Sequence, residues 1–460
     1  MKRNDGRQKA VFLSAVLICV VLNPLNSSTI SVALSTLLQA LHTTPSGITW
    51  IVSGYYLGSA IAQPVMGKLG DAWGSRKFVY GGLAVMIIVA ILAPLSASLW
   101  QFVAWRIVQA IGTSMIYPNA VSMVRNRFPN EIGKILGWIG MGGGVAVAVG
   151  PTIGGLLMDA ASWHSIFWLN VPLAIAAMLM LYIADSHRKM ATSSKSTRSI
   201  SRPDWIGMIL FTAAVTAWLM GSGSRHMMSN PQVWYLPIGA VLTALLMVME
   251  IRHQAPVIPV RWFKQRQFAL SSFITVLVNL VMYCILYGFP LFLETVRHQS
   301  ATKTGLLLLS FAGVMSLFSP LGGRFAQGSA RRRPQLVAGA ALLLGTLILC
   351  FADRLPILVL TFGLAFIGIS FAISNVVIQQ IVLESVPKGD TGQASGVYTL
   401  LRYLGTIISS VLIGASVTTG GSSASTRLFV TLFIVSVVTV LATMGLRDKS
   451  RGKGAKDSKA

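Results

Sequence analysis

Charged residues are scarce in this chain. Asp, Glu, Lys and Arg together make up 11% of its 460 residues, whereas they make up about a quarter of a typical soluble protein. Hydrophobic residues make up 54% of the chain, which is more apolar surface than one folded core can bury. Apolar runs of about twenty residues recur along the whole length, and each is long enough to cross a bilayer as a helix. The composition therefore excludes a soluble protein and predicts an all-α integral membrane protein.

Cysteine is also scarce, and the motifs of common enzymes are missing. Cys19, Cys284 and Cys350 are the only cysteines, and their wide separation inside apolar runs does not suit metal ligands. Neither a phosphate-binding glycine loop nor the signature of a zinc protease or serine hydrolase occurs in the sequence. We therefore expect no enzymatic activity, no metal centre and no cofactor.

The apolar runs predict fourteen membrane-spanning helices, which are called spans 1 to 14 below. Their limits are 11–35, 47–66, 78–97, 100–124, 135–158, 164–184, 204–222, 232–251, 268–292, 301–323, 335–352, 355–380, 394–417 and 425–446. Because this number is even, both termini are expected on the same side of the membrane. Most of the 37 basic residues lie in the loops on that side, which the positive-inside rule identifies as the cytoplasmic side.

The net charge of +24 is explained by this topology and by attraction to anionic lipid. The basic residues are dispersed over many short loops, so the charge does not indicate nucleic-acid binding. We expect a multi-pass protein of the plasma membrane, the inner membrane in a bacterium, that works as a monomer.

An internal repeat divides the predicted spans. The loop 67–77 has a weaker echo at 323–333, and the segment around Pro129 has an echo around Pro387 at nearly the same separation. That separation exceeds six spans by about two helices, which predicts two six-helix halves with two helices inserted between them. The predicted parts are an N-terminal six-helix bundle (1–184), a basic cytoplasmic linker (185–203), two linking helices (204–252), a cytoplasmic loop (253–267), a C-terminal six-helix bundle (268–446) and a basic cytoplasmic tail (447–460).

The loop after span 2 reads GKLGDAWGSRK and resembles GxLxDxxGxRK, the cytoplasmic signature of the major facilitator superfamily. Its defining positions are Gly67, Asp71, Gly74, Arg76 and Lys77. Glycines permit two helix ends to approach closely, and Asp71 is suited to pair with Arg76 or with a neighbouring helix end. We expect this loop to act as a gate that is made and broken as the two halves rock.

Span 5 contains GPTIGG, with Gly150, Pro151, Gly154 and Gly155, and is similar to the motif associated with antiporters of that superfamily. Together with Trp163 and the run 167–172 it resembles the fourteen-helix drug:proton antiporter branch, which includes tetracycline and quaternary-ammonium exporters. The resemblance implies the major facilitator fold in a six, two and six arrangement. It also implies close helix packing at the glycines, which seals the substrate site against leak.

Span 4 carries Arg106 and Gln109 in RIVQAIG, similar to RxxQGxG of the same branch. An arginine inside a span costs about 2.5 kcal/mol or more, so it is expected to face a cavity or a partner unless it snorkels to the outer surface. Its expected role is a fixed positive charge that tunes an acid or holds an anionic group of the substrate. Span 1 departs from the branch, because Asn26 occupies the position of the usual acid, and an amide cannot exchange a proton.

None of the thirteen acids lies near the centre of a predicted span. Glu294 at the outer end of span 9 is the first candidate for a proton carrier and Asp159 the second, although each also suits a solvated helix end. Polar and aromatic residues that suit the lining of a substrate cavity, or an interfacial belt, are Trp50, Tyr56, Tyr117, Asn279 and Tyr283.

The sequence thus predicts a secondary transporter that works by alternating access. The expected task is export of small amphipathic compounds, with the proton as the coupling ion. Two alternatives stay open at this point. One is an uncoupled or differently coupled facilitator or importer of a specific metabolite, which Asn26 favours. The other is a membrane sensor or scaffold built on a transporter fold, against which the intact loop motif argues.

Overall fold

The computed structural model describes residues 2–43, 45–186, 205–222, 234–252, 256, 258–299, 301–328, 330–417 and 422–448. Within these ranges every regular element is a helix and no strand occurs. Most of the predicted linker 185–203 and of the tail 447–460 lies outside the described residues. The side chain of Glu294 also lies outside them, so its predicted role stays a prediction.

Sixteen α-helices follow one another within the described residues. They are α1 (Lys2–Ala40), α2 (Pro45–Trp73), α3 (Ser75–Leu92), α4 (Leu99–Arg127), α5 (Ile132–Ala160), α6 (Ser165–Trp168), α7 (Asn170–Ser186), α8 (Trp205–Ser222), α9 (Tyr235–Arg252), α10 (Arg266–Tyr283), α11 (Phe289–Thr295), α12 (Ala301–Gln327), α13 (Arg332–Cys350), α14 (Ile357–Glu384), α15 (Thr391–Val417) and α16 (Ser422–Met444).

Each predicted span overlaps a helix, but two spans are not uniform. Span 6 is divided between the short α6 and α7. Span 9 widens into a π-helical turn at Cys284–Gly288 between α10 and α11. The cause of the π turn lies in Pro290, which has no N–H group and whose ring would clash with the carbonyl of Leu286 in a regular α-helix.

Nine helical segments among the described residues are long and apolar enough to cross a membrane. They overlap α1, α3, α5, α7, α10, α12, α13, α14 and α16. The helices α2, α4 and α15 do not meet this measure, because they carry polar side chains that the fold buries. The count of fourteen spans and the cytoplasmic location of the termini therefore stay predictions.

The distribution of side chains is inverted relative to a soluble protein. Large apolar side chains such as Leu179 and Leu317 are exposed, at 57% and 75%, whereas polar side chains such as Gln63 and Ser395 are fully buried. This is the pattern expected of helices whose outer faces contact lipid and whose polar groups lie inside the helix bundle.

The helices form two compact units. The first unit contains Met1–Arg127, Val145–Arg261 and Val386–Leu400, and the second contains Phe128–Gly144, Trp262–Ser385 and Leu401–Ala460. The two helices α5 and α15 therefore each contribute one segment to either unit. These two units do not test the division into six, two and six helices that the repeat predicts, and that division stays a prediction.

Candidate functional site

Arg106 is the most deeply buried charged residue of the first unit, with 1% of its surface exposed. Its Nη1 donates to Oε1 of Gln109, one turn further along α4. Its Nε lies 3.5 Å from the carbonyl oxygen of Ile51 on α2, and its guanidinium carbon lies 4.3 Å from the centre of the Tyr55 ring. Among the described residues all these partners are uncharged.

The amide of Gln109 extends this contact to α1. Gln109 Nε2 donates to Oδ1 of Asn26 at 3.2 Å. Asn26 and Asn170, on α1 and α7, form a reciprocal pair in which each amide donates to the other, at 2.7 and 2.9 Å. Asn26 Nδ2 also donates to the carbonyl of Leu22 at 2.7 Å. Because both donors and both lone pairs of Asn26 are used, the side chain has one fixed orientation.

Tyr55 connects the arginine to a second set of polar groups. Its hydroxyl donates to Oδ1 of Asn23 at 3.1 Å and lies 3.3 Å from the hydroxyl of Thr113. Four helices thus contribute to one polar network inside the first unit, which we call the arginine network. Its members are Asn23, Asn26, Tyr55, Arg106, Gln109, Thr113 and Asn170.

The arginine network holds a permanent positive charge with no carboxylate among its members. The guanidinium of arginine stays protonated in proteins, and amides can neither bind nor release a proton. The side-chain N–H group of Asn26 donates a hydrogen bond, as the O–H group of a protonated carboxylic acid would at this position. The network therefore has the hydrogen-bond pattern that a permanently protonated acid at residue 26 would give.

The loop motif Gly67–Lys77 forms a second polar site, at the end of α2 beyond span 2. The carboxylate of Asp71 accepts hydrogen bonds from the backbone N–H of Gln393, at 2.8 Å, and from that of Gly392. The hydroxyl of Ser122 on α4 donates to it at 3.1 Å. Asp71 thus lies at the positive N-terminal end of α15, where backbone N–H groups have no partner within the helix.

Burial raises the pKa of Asp71 from 3.8 to about 7. The hydrogen bonds from Gln393, Gly392 and Ser122 lower the pKa, and the nearby charge of Asp390 raises it. Desolvation of the carboxylate is the largest of these effects. Asp71 can therefore exchange a proton near neutral pH while the contact with α15 is formed.

The other residues of the loop motif have distinct positions. Gly74 has φ 107° between α2 and α3, a conformation that L-residues with side chains rarely adopt. Arg76 and Lys77 are exposed, and the guanidinium of Arg76 lies over the Tyr80 ring at 5.6 Å. Of the two pairings expected for Asp71, the geometry thus shows the one with a helix end.

The start of α15 approaches α2 closely. A Cβ atom added to Gly392 would lie 2.7 Å from the carbonyl oxygen of Gly67 and 2.8 Å from Oδ1 of Asp71. Arg125 on α4 holds the same segment, since it donates to Oγ1 of Thr391 at 3.0 Å and to the carbonyl of Val386 at 3.2 Å. Side chains from α2 and α4 therefore fix the first turn of α15.

The four predicted residues of the α5 motif differ in their contacts. A Cβ atom at Gly154 would lie 3.0 Å from the carbonyl oxygen of Thr29 on α1. One at Gly150 would overlap the hydroxyl of Ser28. Gly155 has open space at the same position, and Pro151 is half-buried within the helix. Close packing against α1 thus depends on Gly150 and Gly154.

The remaining predicted residues lie outside the arginine network. Asp159 and Trp50 are exposed, and the Trp50 ring lies 6.1 Å from that of Trp100. Tyr117 is half-buried. Tyr56 is also half-buried and lies at the edge of the network, with its ring centre 5.9 Å from that of Tyr55.

Two predicted residues belong to the second unit. Asn279 is buried and accepts a hydrogen bond from Nε of Arg402 at 3.2 Å. Tyr283 stacks on Tyr287, with ring centres 5.9 Å apart.

Sequence reasoning missed several polar residues that the structure brings to these sites. Asn170 lies within the run 167–172 that carries part of the family resemblance, yet nothing in the sequence pairs it with Asn26. Gln393 and Ser122 gave no signal, because one contributes a backbone N–H group and the other is a single hydroxyl. These residues become recognisable only through tertiary contacts.

A third polar cluster, in the second unit, was also missed. Arg331, which lies within the weaker loop echo 323–333, forms a bidentate salt bridge with Glu384 at the end of α14, with Nη2 2.7 Å from Oε1. Nε2 of Gln380 donates to the same carboxylate at 2.9 Å. Arg331 and Glu384 are 9% and 30% exposed. The echo thus supplies the cation that pairs with an acid of α14.

A family model described as Major Facilitator Superfamily matches residues 16–410 and 271–459 of the chain. The MFS-type transporter YwoD of Bacillus subtilis is 32% identical over 412 residues, which cover 89% of this chain and 90% of YwoD. The multidrug resistance protein Stp of Mycobacterium tuberculosis is 26% identical, with 85% of this chain and 72% of Stp covered. These relatives agree with the resemblance to the drug:proton antiporter type.

Two further similarities concern substrate range and fold. The riboflavin transporter RibZ of Clostridioides difficile is 28% identical over 319 residues, which cover 69% of this chain and 68% of RibZ. The crystal structure of the human organic anion transporter MFSD10 superimposes with a TM-score of 0.69 at 14% identity, with 94% of this chain and 99% of that chain covered. At this identity the structural similarity shows the fold alone.

Proposed function

Because the chain belongs to the major facilitator superfamily, we propose that it is a secondary transporter that exports small amphipathic compounds, drugs among them, in exchange for protons. We place it in the plasma membrane of a bacterium as a monomer with fourteen spans and both termini in the cytoplasm. The named multidrug resistance relative supports export of drugs, and the distribution of basic residues supports the orientation.

The observation that carries the proposal is the arginine network. A guanidinium that is 1% exposed inside an apolar bundle is costly to maintain, and the network places six other polar residues from four helices around it. Helix packing alone does not require a buried guanidinium, since apolar residues of similar volume fill the interior of a bundle at a lower cost in free energy. A buried guanidinium has a use in a transporter, because a fixed charge beside the transport path changes the relative stability of the states with and without ligand.

Reconstitution into liposomes tests the proposal. The probes are ethidium, as a lipophilic cation, and tetracycline, each measured with and without an imposed pH gradient. We expect the gradient to drive accumulation of at least one probe, and Arg106→Ala to abolish it. Accumulation that ignores the gradient would contradict proton exchange, and no transport of either probe would contradict drug export.

A second candidate is an uncoupled transporter of a defined metabolite. Asn26 favours it, because an amide that imitates a protonated acid removes proton exchange from this position. The riboflavin transporter among the relatives suggests the probe. Riboflavin counterflow without a pH gradient, together with no response to ethidium or tetracycline, would favour this candidate over drug export.

A further inference from the structure

A stripe of polar residues on α2 connects the arginine network with Asp71. Its polar side chains are those of Tyr55, Ser59, Gln63 and Asp71, with Gly67 between the last two. The five positions recur at intervals of four residues, which places them along one slowly turning face of a helix. Sixteen residues at about 1.5 Å each extend this stripe over about 24 Å. Its upper end is the tyrosine beneath Arg106, and its lower end is the carboxylate at the start of α15.

The middle of the stripe contains buried polar atoms without protein partners. Gln63 is 0% exposed, and neither its Oε1 nor its Nε2 has a hydrogen-bond partner among the described residues. The hydroxyl of Ser395 is in the same condition, next to Gly396, which packs against the backbone of Gln63 and Pro64. The hydroxyl of Ser59 interacts with Tyr55.

Each such group destabilises the fold if it stays dry. Buried polar groups of this kind are normally satisfied by water. The middle of the stripe is therefore suited to hold a short chain of water molecules.

Asp71 is half-buried, and neutral groups donate hydrogen bonds to it. Its donors are two backbone N–H groups of α15 and one hydroxyl of α4. Charged side chains on the elements around it include Lys68 on α2, Arg76 and Lys77 on α3, Arg125 and Arg127 on α4, and Lys388 and Asp390 before α15. Arg125 binds Thr391 and Val386, and Asp390 acts on Asp71 by repulsion.

We propose that Asp71 is the proton-binding group of this transporter, and that hydrated polar residues on α2 connect it with the arginine network. This inference rests on the proton exchange proposed above. The proton adds to the carboxylate while α2 and α15 are in contact, and it leaves to cytoplasmic water when this contact opens and Asp71 becomes solvated. The site replaces the acid that span 1 lacks.

The direction of coupling follows from the two environments of Asp71. In the closed contact the pKa of Asp71 is about 7, and in water it returns to the value of an exposed aspartate, about 3.9. Opening the contact therefore releases a proton at neutral pH, and closing it takes one up. A proton that arrives along the stripe from the outer side would be released inside, as export by exchange requires.

Infrared titration of the purified protein tests the proton site without any substrate. The signal is the C=O stretch of a protonated carboxylic acid. We expect this signal to appear as the pH falls through about 7 and to be missing in Asp71→Asn. Asp390→Asn is the matched control: removing its charge should shift the transition to lower pH and leave its amplitude unchanged. A neutral transition that persists in Asp71→Asn would overturn the assignment.

Gln63→Met tests the stripe separately from the gate. This variant keeps Asp71 and its bonds but removes the two buried amide atoms. We expect it to retain the infrared transition and to lose at least tenfold in the rate of ethidium accumulation driven by a pH gradient. If the glutamine is only structural, the variant will be more stable to heat and will transport at the unchanged rate, which would overturn the proposed connection.

The two proposals can fail independently. If the wild-type protein transports no probe in response to the gradient, proton-coupled export fails, while the infrared titration still decides whether Asp71 binds a proton near neutral pH. If the wild type responds to the gradient and Asp71→Asn responds equally, export stands and Asp71 is not the proton site.

Discussion

Two acids of this chain lie in opposite surroundings, one in the loop motif of the first unit and one at the end of α14 in the second. In the first unit Asp71 is bound by backbone N–H groups and a hydroxyl, whereas in the second unit Glu384 is bound by the guanidinium of Arg331. A cationic partner stabilises the charged form of an acid, while burial among neutral donors favours the protonated form. Two acids near helix ends can thus become one fixed ion pair and one group that titrates.

The largest effect is expected from breaking the ion pair of the second unit. Arg331→Ala leaves Glu384 without its cation, and we expect a loss of about 2–3 kcal/mol in stability, less than for a fully buried pair because Glu384 is 30% exposed. Thermal unfolding in detergent measures this loss. Arg333→Ala, which removes an exposed charge two residues away, is the control. An unchanged unfolding midpoint in Arg331→Ala would contradict the comparison.

The next effect is expected at the closest approach of α2 and α15. In Gly392→Ala the new methyl group would lie within 2.8 Å of both Asp71 Oδ1 and the carbonyl of Gly67. We expect a loss of about 2 kcal/mol in stability, as for other overpacked sites, together with reduced transport. Gly155→Ala, where the added atom meets open space, should leave both unchanged or slightly improved. Equal behaviour of the two variants would refute the close contact.

A smaller effect is expected in the pH dependence of stability. Because burial raises the pKa of Asp71 from 3.8 to about 7, the folded protein binds more protons than the unfolded chain between these values. The stabilisation is complete below pH 3.8 and is lost as the pH rises through about 7. Between pH 6 and pH 8 we expect the wild type to lose about 1 kcal/mol more than Asp71→Asn.

The second unit provides the contrast for that measurement. Glu384→Gln should lower the free energy of unfolding at every pH. It should not change how this free energy falls between about pH 6 and pH 8, since Asp71 is unchanged. Unfolding midpoints at several pH values compare the three proteins. A slope that disappears in Glu384→Gln and persists in Asp71→Asn would reverse the assignment.

The smallest effect is expected at the capping contact of α15. Thr391→Ala removes the hydroxyl that accepts from Arg125 and donates to the carbonyl of Lys388, and we expect a loss of about 0.5–1 kcal/mol. Thr391→Ser keeps the hydroxyl and should behave like the wild type. The pH slope should persist in both variants, because the donors to Asp71 remain.

The family and the loop motif were predictable from sequence because they depend on local patterns. Long apolar runs predict helices, and the loop at Gly67–Lys77 is a short contiguous motif. Arg106 and Gln109 were recognisable for the same reason, since they are one turn apart on α4. Asn26 was recognised as a departure from the family, but the sequence did not indicate that Asn170 would pair with it.

The acids show what local patterns leave out. Asp71 was placed in the loop motif, while Glu294 and Asp159 were expected as proton carriers because they lie at outer helix ends, and that expectation stays a prediction. Asp159 is exposed. Whether an acid is buried among neutral or cationic partners depends on residues hundreds of positions away, which no local pattern records.

The sequence by itself determined that this protein is helical, lies in a membrane and belongs to a transporter superfamily, because composition and contiguous motifs are sufficient for these conclusions. Only the tertiary structure decided which polar groups meet. It joined Asn26 to Asn170, Asp71 to the first turn of α15 and Arg331 to Glu384. Helix packing determines these contacts. It thereby sets the local dielectric environment and the charge of the partner, which decide whether a buried group binds a proton.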